Sequence, residues 1–153
     1  LMEDVELRLA AAGDFDGILE LYRHLSPDDD TLFDRPQLRD IWSSLLSREG
    51  TYVCVAVEGE SRPVSTCTLV VIPNIMRGGR SYALLENVVT LNSHRRRGLG
   101  RATLNFAIEK AWSLGCYKVM LMSGRADPGV HTFYRSIFPQ TKQGYQVRNL
   151  PAA

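Results

Sequence analysis

Apolar and polar positions change period several times along the chain, and each change marks an element. Val5-Glu6-Leu7-Arg8-Leu9 alternates with period two and predicts a half-buried strand. Phe15, Ile18, Leu19 and Tyr22 then recur at i, i+3, i+4 and i+7, a helical stripe that Asp14 can cap. Pro27 and the acidic run Asp28-Asp29-Asp30 end that helix and predict a solvated loop. Asp34, Pro36 and Gln37 have the spacing of a capping box. A second helix follows, with Leu38, Ile41, Trp42 and Leu45 on one face and its end near Gly50. Tyr52 to Val57 and Val64 to Ile72 are runs rich in β-branched residues, and Glu58-Gly59-Glu60-Ser61 between them predicts a hairpin.

Arg77-Gly78-Gly79-Arg80 is a second turn signal, and Tyr82 to Leu91 reads as the next strand. From Gly98 the period is helical again, with Leu104, Ala107, Ile108 and Ala111 as the stripe and Gly115 at a C′ position. Lys118 to Met122 reads as a short buried strand, Gly129 to Ser136 as a short helix, and Tyr145 to Val147 as a last strand. The order β-α-α-β-β-β-α-β-α-β predicts an α+β (mixed α/β) fold in one domain over residues 1–153. The strand–helix–strand step over residues 82–122 is expected to be a right-handed parallel crossover.

Composition narrows the function classes. The 153 residues are 44% hydrophobic and 23% charged, which suits one globular domain with a buried core. Eighteen Lys+Arg against seventeen Asp+Glu leave a net charge of +1, which argues against a nucleic-acid or membrane-surface partner. No apolar run approaches the ~20 residues of a membrane span, and no signal-peptide pattern opens the chain. Cys54, Cys67 and Cys116 are an odd number in apolar surroundings, and His24, His94 and His131 are scattered. They predict reduced thiols in a cytoplasmic protein and no metal site.

The stretch that carries chemistry is Leu84-Leu85-Glu86-Asn87-Val88-Val89-Thr90 followed by Arg95-Arg96-Arg97-Gly98-Leu99-Gly100-Arg101-Ala102. A strand runs into a glycine-containing loop that opens a helix, so free backbone N–H groups and the positive end of the helix dipole converge. Gly98 and Gly100 remove side chains that would keep an anion off those amides, and four arginines crowd the same place. The expected guest carries several phosphate charges. A solvated basic loop before an ordinary helix is the alternative that the loop alone leaves open. Walker A is absent, and the Rossmann fingerprint lacks its third glycine, replaced by Thr103, and its acidic residue near Val119-Met120-Leu121-Met122. Nucleotide hydrolysis and dinucleotide redox chemistry are therefore disfavoured.

Arg95-x-x-Gly98-x-Gly100 after the Glu86-Asn87-Val88-Val89-Thr90 strand resembles the pyrophosphate loop of the GCN5-related N-acetyltransferases. The later Phe133-Tyr134 pair resembles that family's closing helix. The resemblance implies a three-layer fold: a mixed, mostly antiparallel sheet, a splayed parallel strand pair, and helices on both faces. It implies acetyl-CoA as co-substrate, held by Arg95, Arg96, Arg97, Gly98, Leu99, Gly100, Arg101 and Ala102, with backbone groups of Val88 and Val89 on the pantetheine arm. It also implies direct transfer to a primary amine, with Glu86 as candidate proton acceptor and Tyr134 as candidate proton donor to the departing thiolate. Two positions depart from the family pattern: Asp127 stands where Asn is frequent, and Ile137-Phe138-Pro139 replaces a Leu-Gly-Phe. Homodimers are common in the family, so a homodimer is an expectation that rests on the resemblance alone.

An alkyl amine of pKa ~10.4 is neutral in only about one part in 10³ near pH 7.4, so transfer benefits from a base. A carboxylate of ordinary pKa ~4.3 is a weak one, and the role calls for a raised pKa or an intervening water. Glu86 could instead pair with Arg80 or anchor the substrate, and His131 is the other proton acceptor considered. Cys116, following Gly115 at a helix C-terminus, is a poor nucleophile candidate. The acceptor is expected near residues 22–35 and 73–82, where Asp28, Asp29 and Asp30 suit a cationic amine and Arg77 and Arg80 a phosphorylated or carboxylated one. A small-molecule amine is the expected acceptor. A non-catalytic acyl-CoA binding or sensing module is the competing class, with an arginine-loop nucleic-acid binder behind it.

Overall fold

The two runs richest in β-branched residues form the middle of a sheet. The computed structural model describes residues 4–60 and 62–149. β2 (Thr51–Glu58) and β3 (Arg62–Ile72) pair antiparallel from Thr51↔Val70 to Glu58↔Arg62, and their central residues are buried. Such runs suit strands covered on both faces. β1 (Val5–Leu9) adds antiparallel to β2, and β4 (Tyr82–Thr90) antiparallel to β3. β5 (Val119–Leu121) joins β4 in parallel, which gives the order β1-β2-β3-β4-β5. The sheet is mixed and mostly antiparallel, with one parallel pair, as expected. Ser61 of the hairpin turn lies outside the described residues.

α1 (Phe15–Leu25) buries Phe15, Ile18 and Leu21 with Val53, Val55 and Val64 of the sheet and Trp42 of α2 (Leu38–Ser47). Full burial of Ile18 and Leu21 contributes about 1.5–3 kcal/mol each. Trp42 also satisfies its indole, Nε1 donating to the Ala12 carbonyl at 3.2 Å. The four-residue α3 (Met76–Gly79) is a turn more than a helix, because Arg77 and Gly78 are left-handed. α4 (Leu99–Ser113) buries Leu104, Ala107 and Ala111 completely. Gly115, at φ 80, ends it in a Schellman arrangement: Cys116 N–H reaches the Ala111 carbonyl at 3.1 Å and Gly115 N–H that of Trp112 at 3.0 Å. Cys67 of β3 lies on the Thr103 carbonyl of α4, whereas its neighbour Thr68 faces Tyr22 of α1. Adjacent strand residues point to opposite faces, so α1 and α4 cover the two sides of the sheet.

The chain divides into two compact units, Leu1–Leu121 and Met122–Ala153. The second contains α5 (Pro128–Arg135), whose N-cap Asp127 accepts from the Gly129 N–H at 2.8 Å.

Several expectations need correction. Asp14 precedes α1 but does not cap it; its carboxylate accepts two hydrogen bonds from the Arg8 guanidinium and one from the Ala11 N–H. A charged partner on β1 outcompetes the helix amides. Asp34 likewise pairs with Arg23 at 2.7 Å, and α2 starts beyond it at Leu38 without a side-chain cap. Ile41 is turned to solvent, so the buried face of α2 is narrower than its stripe. β5 is half-buried rather than buried. Tyr145 to Val147 form no strand: residues 139–149 have no regular secondary structure, and Tyr145 and Val147 are exposed. Alternation alone does not hold a strand where no face is buried.

Candidate active site at the β4 bulge and the α4 N-terminus

β4 carries two interruptions in its pairing, and both border the stretch that holds Glu86, Val88 and Val89. On one side, parallel pairing with β5 stops at Leu85↔Leu121. On the other, Thr68 pairs with Glu86 but Thr66 with Val89, so Cys67 alone faces Asn87 and Val88. This is a β-bulge, which bends the strand and re-aims its side chains. Asn87 takes the left-handed conformation it requires (φ 53), one that Asn adopts more readily than most residues. Glu86 and Asn87 are exposed, Val88 is half-buried and Val89 buried. Val89 therefore has only backbone groups to offer a ligand, and Glu86 is open to water. Glu86 forms no ion pair among the described residues; Arg80, the partner considered for it, reaches the Cys116 carbonyl at 3.5 Å.

β4 runs through Leu91, whose N–H is held by the Val64 carbonyl at 2.9 Å, into the 3-10 turn Asn92–His94 and then the arginine loop. Arg96 (φ 61) and Gly98 (φ 78) are both left-handed, so the backbone turns sharply as it enters α4. The first α4 bond runs from Ala102 N–H to the Gly98 carbonyl at 3.0 Å. The N–H groups of Leu99, Gly100 and Arg101 therefore have no acceptor within the helix. Leu99 is a core anchor by its side chain, and Thr103 Oγ1 bonds back to its carbonyl at 2.8 Å. A 15-residue helix pinned in this way presents its dipole to whatever binds the loop.

The arginines divide in two. Arg95, Arg96 and Arg101 are exposed around the helix start. Arg97 is not: its Nη2 is 2.5 Å from Glu58 Oε1, and His94 Nε2 is 2.7 Å from Glu58 Oε2. Four arginines at one point was the expectation, and Arg97 departs from it because a carboxylate at the end of β2 captures it. The Arg97 hydrogen bond, with that of His94, holds the Glu58 carboxyl below the usual carboxylate range. Sequence reasoning missed Glu58, which lies 39 positions from Arg97 with no local signal joining them.

Other predicted positions are now located. Tyr134 is half-buried on α5, its ring 5.4 Å from that of Phe133. His131 Nε2 is engaged by the Arg125 carbonyl. Cys116 is buried, and burial pushes its thiol up, which agrees with its dismissal as a nucleophile. Cys54 and Cys67 face each other on β2 and β3 as free thiols. Near the β3–β4 turn, Arg77 lies over the Tyr117 ring at 5.9 Å, and Lys118 over Tyr82 and Tyr117 at 5.2 and 5.3 Å. A further group escaped the sequence reading: Tyr22 approaches Thr68 and Asn87 from α1, and burial pushes its phenol up. Thr68 Oγ1 beside it is fully buried. No described helix is long and apolar enough to cross a membrane.

Comparison with known proteins matches this geometry to a family. The Acetyltransferase (GNAT) family model matches residues 17–138. Glucosamine 6-phosphate N-acetyltransferase of Trypanosoma brucei brucei is 34% identical over 125 residues, 78% of this chain and 80% of that protein. Among solved structures, an Agrobacterium tumefaciens protein described as an acetyltransferase is 43% identical with a TM-score of 0.85, covering 94% of this chain and 99% of the other. A Trypanosoma brucei acetyltransferase is 28% identical with a TM-score of 0.81, over 96% and 100%. On these matches the chain belongs to the GNAT family and is an acetyl-CoA-dependent N-acetyltransferase.

Proposed function

We propose that the chain transfers the acetyl group of acetyl-CoA directly to the primary amine of a small, phosphorylated molecule of the amino-sugar type, working as one domain in the cytoplasm. The observation that carries the donor half is the α4 N-terminus, where N–H groups that have no acceptor within the helix, left-handed Gly98 and the exposed Arg95, Arg96 and Arg101 meet. These groups fit a pyrophosphate, which needs several short N–H contacts and cationic neutralisation. The relatives named for glucosamine 6-phosphate support the acceptor half. So does the cationic group of Arg77, Arg80 and Lys118 at one end of β4 and β5, which suits a phosphate. The family match runs across residues 121 and 122, which supports a single functional domain.

In this reading the amine attacks the thioester carbonyl, a C–N bond forms, and the C–S bond breaks. Glu86 takes the amine proton through a water, in keeping with its exposure. Backbone N–H groups at Val88 and Val89 polarise the carbonyl, and Tyr134 returns a proton to the thiolate. Arg95, Arg96, the N–H groups of Leu99, Gly100 and Arg101, and the first turn through Ala102 bind the donor. The test is thiol release from acetyl-CoA with a panel holding glucosamine 6-phosphate, glucosamine, polyamines and a lysine peptide. Preferential turnover of the phosphorylated amino sugar is expected. Faster turnover of an unphosphorylated amine would refute the acceptor assignment, and acetyl-CoA binding with no turnover on any amine would favour a sensing module.

A further inference from the structure

We infer that Glu58 is a positioning residue that sets the shape of the donor loop. The inference rests on the proposal that this loop binds acetyl-CoA. Glu58 is the last residue of β2 and is paired on both sides, with Val5 and with Arg62, so its backbone is fixed. Its two carboxylate oxygens take one partner each from the loop, His94 Nε2 at 2.7 Å and Arg97 Nη2 at 2.5 Å. Ser93 Oγ lies 2.7 Å from His94 Nδ1. With the serine hydroxyl donating to Nδ1, the ring proton is on Nε2 and points at Glu58.

The two contacts bracket Arg95 and Arg96. Between them Arg96 holds a left-handed backbone (φ 61), a conformation that persists in a non-glycine residue only where surrounding contacts over-determine it. Immediately after Arg97 comes Gly98, the start of the helix. The clamp thus fixes the segment from Arg95 to Arg97, which decides where the loop N–H groups and the guanidiniums of Arg95 and Arg96 point. It also explains why one arginine of the loop faces away from the helix mouth: Arg97 acts on the donor through the backbone. Hydrogen bonds to charged groups, doubled on one carboxylate, are strong enough to order a short segment. A pre-ordered loop binds its anion without first losing that freedom.

The experiment compares wild type, Glu58→Gln, His94→Leu and His94→Gln by amide hydrogen exchange without ligand and by calorimetric titration with acetyl-CoA. Glu58→Gln should speed exchange in residues 92–98 while leaving β2 and β3 protected, and should weaken acetyl-CoA binding about tenfold. His94→Leu should weaken it severalfold, whereas His94→Gln, which keeps an N–H donor, should stay within about twofold of wild type. Unchanged loop exchange in Glu58→Gln, or unchanged affinity, would overturn the inference. So would loss of protection throughout the sheet, which would mark Glu58 as a stability residue only. Faster loop exchange in a protein whose wild type fails to bind acetyl-CoA would refute the donor assignment and leave the clamp as a loop-ordering device.

Discussion

Replacing Gly98 separates the backbone requirement of the donor loop from its ligand requirement. Gly98 is left-handed (φ 78), and a Cβ built there meets nothing within 4 Å. Gly98→Ala therefore creates no clash, and its cost is conformational. A left-handed alanine costs about 1–2 kcal/mol, and the stiffer unfolded chain returns about 0.4–1 kcal/mol. The net loss is about 1 kcal/mol, a melting-temperature drop of about 2–4 °C for a chain of this size. Gly98 immediately precedes the first-turn N–H groups of α4, which have no acceptor within the helix and where the donor's pyrophosphate is proposed to lie. Acetyl-CoA affinity should fall at least tenfold, equivalent to about 1.4 kcal/mol in binding. Gly98→Asn is the companion variant, since asparagine tolerates the left-handed region. It should melt close to wild type and still bind poorly, because its side chain fills the same space. Thermal melts and calorimetric titration of acetyl-CoA read both quantities. Wild-type affinity in both variants would refute the loop as the pyrophosphate site, and a stability loss above about 3 kcal/mol would contradict the open surroundings of Gly98.

Three further outcomes follow from other parts of the molecule. Gly17→Ala should destabilise, against the usual gain of about 1 kcal/mol for alanine in a helix, because the new Cβ would stand 2.7 Å from Pro63 Cδ. Overpacking of that kind costs about 1–3 kcal/mol, so a raised urea midpoint would show that the ring yields freely. Asp14 is pushed up by burial but more strongly pulled down by the Arg8 hydrogen bonds, the Ala11 N–H and the Arg8 charge, which leave it below the ordinary carboxylate range. Its stabilisation is thus present above pH ~4 and lost as pH falls through the lower folded value. Asp14→Asn should cost about 2 kcal/mol at pH 7 by urea denaturation, with a gap from wild type that narrows as pH falls below the ordinary carboxylate range; a gap independent of pH would refute the ion pair as its source. Tyr134→Phe should lower the rate of thiol release at least tenfold while leaving acetyl-CoA affinity within about twofold; an unchanged rate would remove Tyr134 as the proton donor.

By itself the sequence determined what depends on neighbours along the chain. The apolar runs of β2 and β3, the stripes of α1 and α4, the Gly115 stop and the Arg95-x-x-Gly98-x-Gly100 loop were all legible, because strand alternation, helical period, left-handed glycine and helix-start amides are set within a few residues. Where a side chain had a choice between a local and a distant partner, the tertiary structure decided. Asp14 and Asp34 have cap spacing, yet Arg8 and Arg23 take their carboxylates, since a guanidinium offers a stronger hydrogen bond than a helix amide. Tyr145 to Val147 alternates as a strand does, but no covering face came with the pattern. The site shows the same division. Glu86, Val88 and Val89 could be named from the strand, but the bulge beside Glu86 depends on a register between β3 and β4 that no single strand encodes. Arg97 reads as a phosphate ligand until β2 brings Glu58 within 2.5 Å of it. Pairing between segments tens of residues apart is a property of the folded sheet, so the division of labour among the arginines belongs to the fold.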